Sequence, residues 1–99
     1  MPRYLLTVEA KQDLYDIRDY LTRDAGAGVA RSTLIRIRDA LAFLASTPGA
    51  GHSREDLTDE VVKFWPIFSY MIVYDPAKRP IEIIRIIHVS RELSVILSQ

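Results

Sequence analysis

Cysteine is absent from this 99-residue chain, which excludes disulfides, thiolate nucleophiles and Cys-based zinc or iron–sulfur sites. An excess of charge of either sign is also missing. The 13 Lys and Arg residues balance the 13 Asp and Glu residues, so no whole-molecule field favours nucleic acid, and sequence-specific nucleic-acid binding by the chain alone is not expected. Long apolar runs are missing as well. The chain reaches Glu9 after the short stretch Tyr4-Leu5-Leu6-Thr7-Val8, too little for a signal-peptide core or a membrane span, and the expectation is a soluble, cytoplasmic protein with no membrane contact. The two histidines, His52 and His88, have no second histidine or carboxylate at ligand spacing. Neither a Gly-rich phosphate loop nor a G-x-S-x-G elbow occurs. No metal, no cofactor and no catalytic set is expected, and the chain reads more readily as a binding protein than as an enzyme.

What is present is the composition of a folded domain: 48% hydrophobic and 26% charged residues, enough apolar surface to offset ordering entropy. The length accommodates one core, so residues 1–99 are expected to form a single domain. A domain this small buries roughly two thirds of the surface its unfolded chain exposes, so a bound partner adds materially to its stability.

Arg3 to Val8 reads as a short strand, with Thr7 placed to cap a helix. Ala10, Leu14, Ile17 and Leu21 then recur at helical spacing, with Lys11, Asp13, Asp16, Arg18 and Asp19 on the other side, which predicts a helix from about Val8 to Arg23. A turn is expected in Asp24-Ala25-Gly26-Ala27-Gly28. The stripe Ala30, Leu34, Ile37, Leu41, Leu44 predicts a second helix to about Ser46, stopped by Thr47-Pro48-Gly49. Gly49 to Glu60 is polar and reads as a loop. Val61–Trp65, Phe68–Asp75 and Pro80–Val89 read as strands joined at Pro66-Ile67 and Pro76-Ala77-Lys78-Arg79. In the last strand Ile81, Ile83, Ile87 and Val89 are expected on one face and Ile84 and Ile86 on the other, which makes it central. A closing helix from about Arg91 to Leu97, with Ser90 as cap and Glu92 in the first turn, completes an α+β fold: N-terminal strand, helical hairpin, three-stranded antiparallel meander, short helix. The hairpin is expected to cover one face of the sheet and to leave the other face, or the groove at its edge, open.

Four bases (Lys78, Arg79, Arg85, Arg91) against Glu82 make the stretch from Lys78 to Arg91 basic. Arg85 stands out because it interrupts a run of isoleucines, and buried arginine is rare unless paired. Either it is bonded to Glu82, Asp75 or a loop acid, or it binds a partner. Arg91 at a helix start gains nothing from the helix dipole, which points to an anion nearby. His88 is either packed or within reach of a substrate. The segment Phe64-Trp65-Pro66-Ile67-Phe68 is unusually apolar for a hairpin turn, and Trp65 and Phe68 are either covered by the helices or exposed as interface anchors.

Taken in order, Ala10-x-x-Asp13-Leu14-x-x-Ile17-x-x-Tyr20, then Pro48, Gly51 and Arg54-x-x-Leu57, then Tyr70-Met71-Ile72-Val73-Tyr74, then Ile83-x-Arg85-x-x-His88-x-x-Arg91, the chain resembles the RelE/ParE toxin superfamily over nearly its whole length. The two branches imply different activities: ribosome-dependent messenger RNA cleavage for RelE, inhibition of DNA gyrase for ParE. The RelE pattern has lysines on the second strand, an arginine after the tyrosine of the third strand, an arginine at the last helix, which Arg91 matches, and a tyrosine within that helix. Here Lys63 stands alone, Met71 follows Tyr70, and Leu97 falls near the tyrosine position, so the ParE branch is the better match. The resemblance implies a gyrase poison neutralised by a ParD-like antitoxin, the alternatives being a RelE-like ribosome-dependent endonuclease or an inactive interaction module, with Arg85, His88, Arg91, Lys78, Arg79, Trp65 and Phe68 as the binding candidates and none as catalytic.

Overall fold

The computed structural model describes residues 3–56 and 58–89. The expected closing helix, with Ser90, Arg91, Glu92 and Leu97, lies outside the described residues, as does Leu57. The order is β1 (Tyr4–Leu6), α1 (Val8–Ala25), α2 (Ala27–Ser46), a 3-10 turn (Pro48–Ala50), β2 (Lys63–Ile67), β3 (Tyr70–Asp75) and β4 (Ile81–His88). This is the α+β arrangement expected from the residue pattern. The strands form one sheet in the order β1-β4-β3-β2, with β1 parallel to β4 and the other pairs antiparallel.

Thr7 caps α1 as expected, its hydroxyl accepting from the Ala10 N–H at 3.0 Å. The same hydroxyl donates to the Ile84 carbonyl at 2.8 Å, tying the start of the helix to β4. The interhelical turn is tighter than the five residues allotted to it. Gly26 alone separates α1 from α2, at φ 95°, a left-handed conformation that glycine adopts without a steric penalty. One such residue reverses the chain, so Gly28 is free to join α2.

Both stripes face the sheet. Ala10, Ile17, Ile37, Leu41 and Leu44 join Tyr70, Ile72, Tyr74, Ile81, Ile83 and Ile86 in the main core, with Leu14, Leu21 and Leu34 packed against it. One residue assigned to the polar side is misplaced: Asp13 is only 7% exposed and sits between Ala10 and Ile17 on the buried stripe.

β4 departs from simple alternation. Tyr74 pairs with Ile83 and Val73 with Arg85, so Ile84 has no partner and the strand bulges there. The extra residue shifts every later side chain to the opposite face. Ile86 therefore joins Ile81 and Ile83 in the main core, while Ile87 lies on the far face, which corrects the grouping read from the isoleucine run. That far face is not open either. Phe64, Met71, Val73 and Ile87 form a second buried cluster there, with Val62 and Val89 packed against it.

The β2–β3 reversal also shifts. Pro66 and Ile67 are in the strand, paired with Met71 and Tyr70, and Phe68 makes the turn at φ 54°. Pro66 is tolerated because β2 is an edge strand and its missing N–H would point away from the sheet.

Candidate functional site

β1 ends at Leu6, so it covers only the first half of β4, from Ile81 to Ile83. The second half of β4 is central on one side and an edge on the other, and α1 supplies what β1 does not. The Asp13 carboxylate accepts the Ile86 backbone N–H at 2.9 Å, standing in for a strand carbonyl. It also accepts two hydrogen bonds from Arg85, Nε at 2.8 Å and Nη2 at 2.9 Å, a bidentate ion pair between groups 72 residues apart. Arg85 is thus a paired arginine, and the acid that holds it among the described residues is Asp13 on α1, where Glu82, Asp75 or a loop acid was expected. Asp13 carried a legible signal, since it lies three residues after Ala10 and four before Ile17 on the apolar stripe.

A second polar contact fixes the 3-10 turn to the sheet. The fully buried Tyr74 hydroxyl donates to the Pro48 carbonyl at 2.7 Å and accepts from the Gly51 N–H at 2.9 Å. Burial pushes the Tyr74 phenol above its ordinary value of 10.0, opposed in part by the Gly51 hydrogen bond. Gly51 is glycine because of space: a Cβ there would lie 2.5 Å from the Tyr74 hydroxyl oxygen and 2.8 Å from its Cε1. Pro48, Gly51 and Tyr74, read separately along the chain, are one unit.

The proposed binding residues do not converge on one patch. Lys78 and Arg79 lie in the turn before β4, while His88 ends that strand, on the order of 25 Å away along an extended chain of this length. Lys78 pairs with Glu82 at 3.2 Å, and Arg79 donates to the carbonyls of Pro76 and Lys78. His88 is half-buried, edge-on to the Tyr70 ring at 5.4 Å. Trp65 packs against the main core, 5.4 Å from the Phe43 ring and stacked with His52 at 6.2 Å. Phe68 is exposed at the β2–β3 turn, with the Arg36 guanidinium 5.2 Å from its ring centroid. Arg91 lies outside the described residues.

Two open grooves flank α1. One of about 870 Å³ runs beside Asp13, Asp16, Tyr20, Arg23 and Ile86, along the half of β4 that β1 leaves uncovered. The other, about 340 Å³, lies where the hairpin meets β1. Its floor is Tyr4, Leu6, Leu14 and Leu34, and its rim carries Lys11, Arg18 and Arg38. No carboxylate is among its described lining residues. Among the described residues there is no cluster of three or more His, Asp or Glu that could hold a metal, and no helix long and apolar enough to cross a membrane. The arrangement offers surfaces for a protein partner.

Residues 4–93 match the family model for the ParE toxin of type II toxin-antitoxin system, parDE. A solved structure described as the chromosomal ParDE TA system from P. aeruginosa superimposes with a TM-score of 0.75, covering 90% of this chain and 97% of that one. The two are 21% identical, so the likeness concerns the fold. No curated protein matches the chain.

Proposed function

The chain belongs to the ParE toxin family, the toxin half of a type II toxin–antitoxin pair, and on that premise we propose that it binds DNA gyrase, holds the enzyme on cleaved DNA, and is neutralised by a ParD-like antitoxin. The match across residues 4–93 is the observation that carries this reading. The surroundings of two residues support it against messenger RNA cleavage. Met71, at the position where the nuclease branch places an arginine, is 7% exposed and packed in the far-face cluster, so no cation there could stabilise a phosphorane. Arg85 commits its Nε and one terminal nitrogen to Asp13, which suits anchoring of β4.

The test is induced expression of the chain without antitoxin, followed by gyrase supercoiling and translation assays on purified protein. Growth arrest, loss of supercoiling with accumulation of cleaved DNA, and intact messenger RNA are expected. Unimpaired supercoiling beside cleaved ribosome-bound message would overturn the reading.

A further inference from the structure

Phe68 contradicts the preference of its own position. It is the first of the two residues that join β2 to β3, Ile67 pairing with Tyr70 across the turn, and its φ of 54° lies in the left-handed region. A bulky L side chain is strained there, and glycine is what a two-residue hairpin turn favours at such a place. Packing does not offset the strain, since Phe68 is 58% exposed. Its ring meets the Arg36 guanidinium, 5.2 Å from the centroid, and Arg36 is itself exposed and in no ion pair among the described residues. Seven residues further along the same flank of α2, Phe43 is 45% exposed, its ring 5.4 Å from that of Trp65. Lys63 shares the face of Trp65 on β2 and is likewise in no ion pair among the described residues. Where α2 meets β2, the surface is thus an aromatic ridge with cations and no paired acid.

The backbone beside this ridge limits what can sit on it. β2 is an edge strand, but the outward groups of Phe64 are taken by His52 in both directions, at 2.7 and 2.8 Å, and Pro66 has no N–H to offer. Such an edge is closed to a further strand. An extended peptide gains no backbone pairing there, whereas a folded surface with a preformed apolar pocket can take the Phe68 ring whole. We propose that Phe68, with Arg36 and Phe43, is the anchor by which the toxin grips gyrase: the ring enters an apolar pocket of the folded enzyme, and Arg36 faces a carboxylate at the pocket rim. This rests on the reading that gyrase is the target. The strained turn is then kept for binding, since a glycine would suit the fold as well or better.

The experiment uses the purified full chain, gyrase and relaxed plasmid. For wild type, Phe68→Gly and Arg36→Glu, four quantities are measured: the toxin concentration that halves supercoiling, Tm, affinity for the antitoxin protein encoded beside the toxin, and oligomeric state. Phe68→Gly is expected to melt within about 4 °C of wild type or above it, to bind the antitoxin as wild type does, and to need about tenfold more protein or greater to halve supercoiling. Arg36→Glu is expected to lose inhibition to a similar extent, most strongly in low salt. Inhibition at the wild-type concentration by either variant refutes the anchor while leaving the gyrase reading intact. A wild-type toxin without effect on gyrase sinks both. A Phe68→Gly protein that melts clearly lower shows that the ring serves the fold, and one that loses antitoxin affinity shows that it serves the antitoxin; either result overturns the inference. So does a wild-type dimer that Phe68→Gly dissociates, which would assign the ridge to a second copy.

Discussion

Replacing Gly51 by alanine tests the packing of the 3-10 turn on the sheet more directly than any other single change. The new Cβ would sit 2.5 Å from the Tyr74 hydroxyl oxygen, 2.8 Å from Cε1 and 3.0 Å from Cζ. Those atoms belong to a rigid, fully buried ring between Pro48 and Gly51, so the clash is not relieved by swinging a flexible tip aside. Gly51 has φ −69° and ψ 173°, ordinary extended geometry, so any cost is steric and not conformational. Overpacking of this kind costs about 1–3 kcal/mol, and displacement of the ring weakens two hydrogen bonds worth about 1 kcal/mol each. A total of about 2–3 kcal/mol lowers Tm by roughly 10–20 °C in a domain of this size. Tyr74→Phe keeps the ring and removes the hydroxyl, leaving the Pro48 carbonyl and the Gly51 N–H without their partner, at about 1–3 kcal/mol. In the Tyr74→Phe background the shortest contact disappears while the 2.8 and 3.0 Å contacts persist, so the second substitution should cost less than in wild type without becoming free. A double-mutant cycle by urea unfolding should therefore show an interaction energy of about 1 kcal/mol or more, the double mutant being more stable than the sum of singles. Additive losses, or a Gly51→Ala protein within about 0.5 kcal/mol of wild type, would refute the close-approach argument.

Three further outcomes follow from the same contacts. Burial raises the Tyr74 phenol above 10.0; the folded state favours the neutral form, so this contribution is complete below the unfolded value and is lost as pH rises through the folded one. Urea midpoints taken from about pH 9 to about pH 11 should fall less steeply in Tyr74→Phe than in wild type, and equal slopes would count against it. Thr7→Ala removes both the α1 cap and the bond to Ile84, an expected loss of about 1.5–2 kcal/mol by thermal melting, whereas Thr7→Ser should keep most of it. Asp13→Ala strips partners from Arg85 and from the Ile86 N–H and should cost about 2–3 kcal/mol, with Asp13→Asn near half that because one oxygen can still accept from Ile86; equal losses for both would show the backbone bond to be unimportant.

The helices were legible because their signal is local. Apolar residues three and four apart determine which side is buried whatever the rest of the chain does, and both stripes found the core. The strands were legible as segments, yet their faces were not. A bulge at Ile84 depends on how β4 registers with β3 across the Val73–Tyr74 step, and a run of isoleucines looks alike on either face. The β2–β3 turn was misplaced for a related reason: Pro66 suggests a turn in isolation, but at an edge position its missing donor costs nothing. Arg85 was visible as a polar intrusion on an apolar pattern, whereas Asp13 was assigned to the polar side of α1. Their pairing across 72 residues was not visible, since it exists only once β1 stops short and α1 lies along the uncovered half of β4.

That pairing also bears on where a partner binds. Basic residues gathered late in the chain suggested one cationic surface, yet each described member is engaged within the toxin: Arg85 by Asp13, Lys78 by Glu82, Arg79 by two turn carbonyls. An incoming acid would have to displace those partners, and an exposed pair exchanged for another yields little net energy. Lys11 entered the sequence pattern merely as part of the polar side of the first helix, and Arg38 lies on α2. The turn at Gly26 sets those helices side by side, and α2 crosses to β1, so two cations 27 positions apart in the chain rim one apolar groove beside β1. Charge density along a sequence is therefore a poor guide to the cationic surface of this toxin. Among the described residues Lys11 and Arg38 are in no ion pair, so neither needs to give up an acid before it can add net energy to an interface.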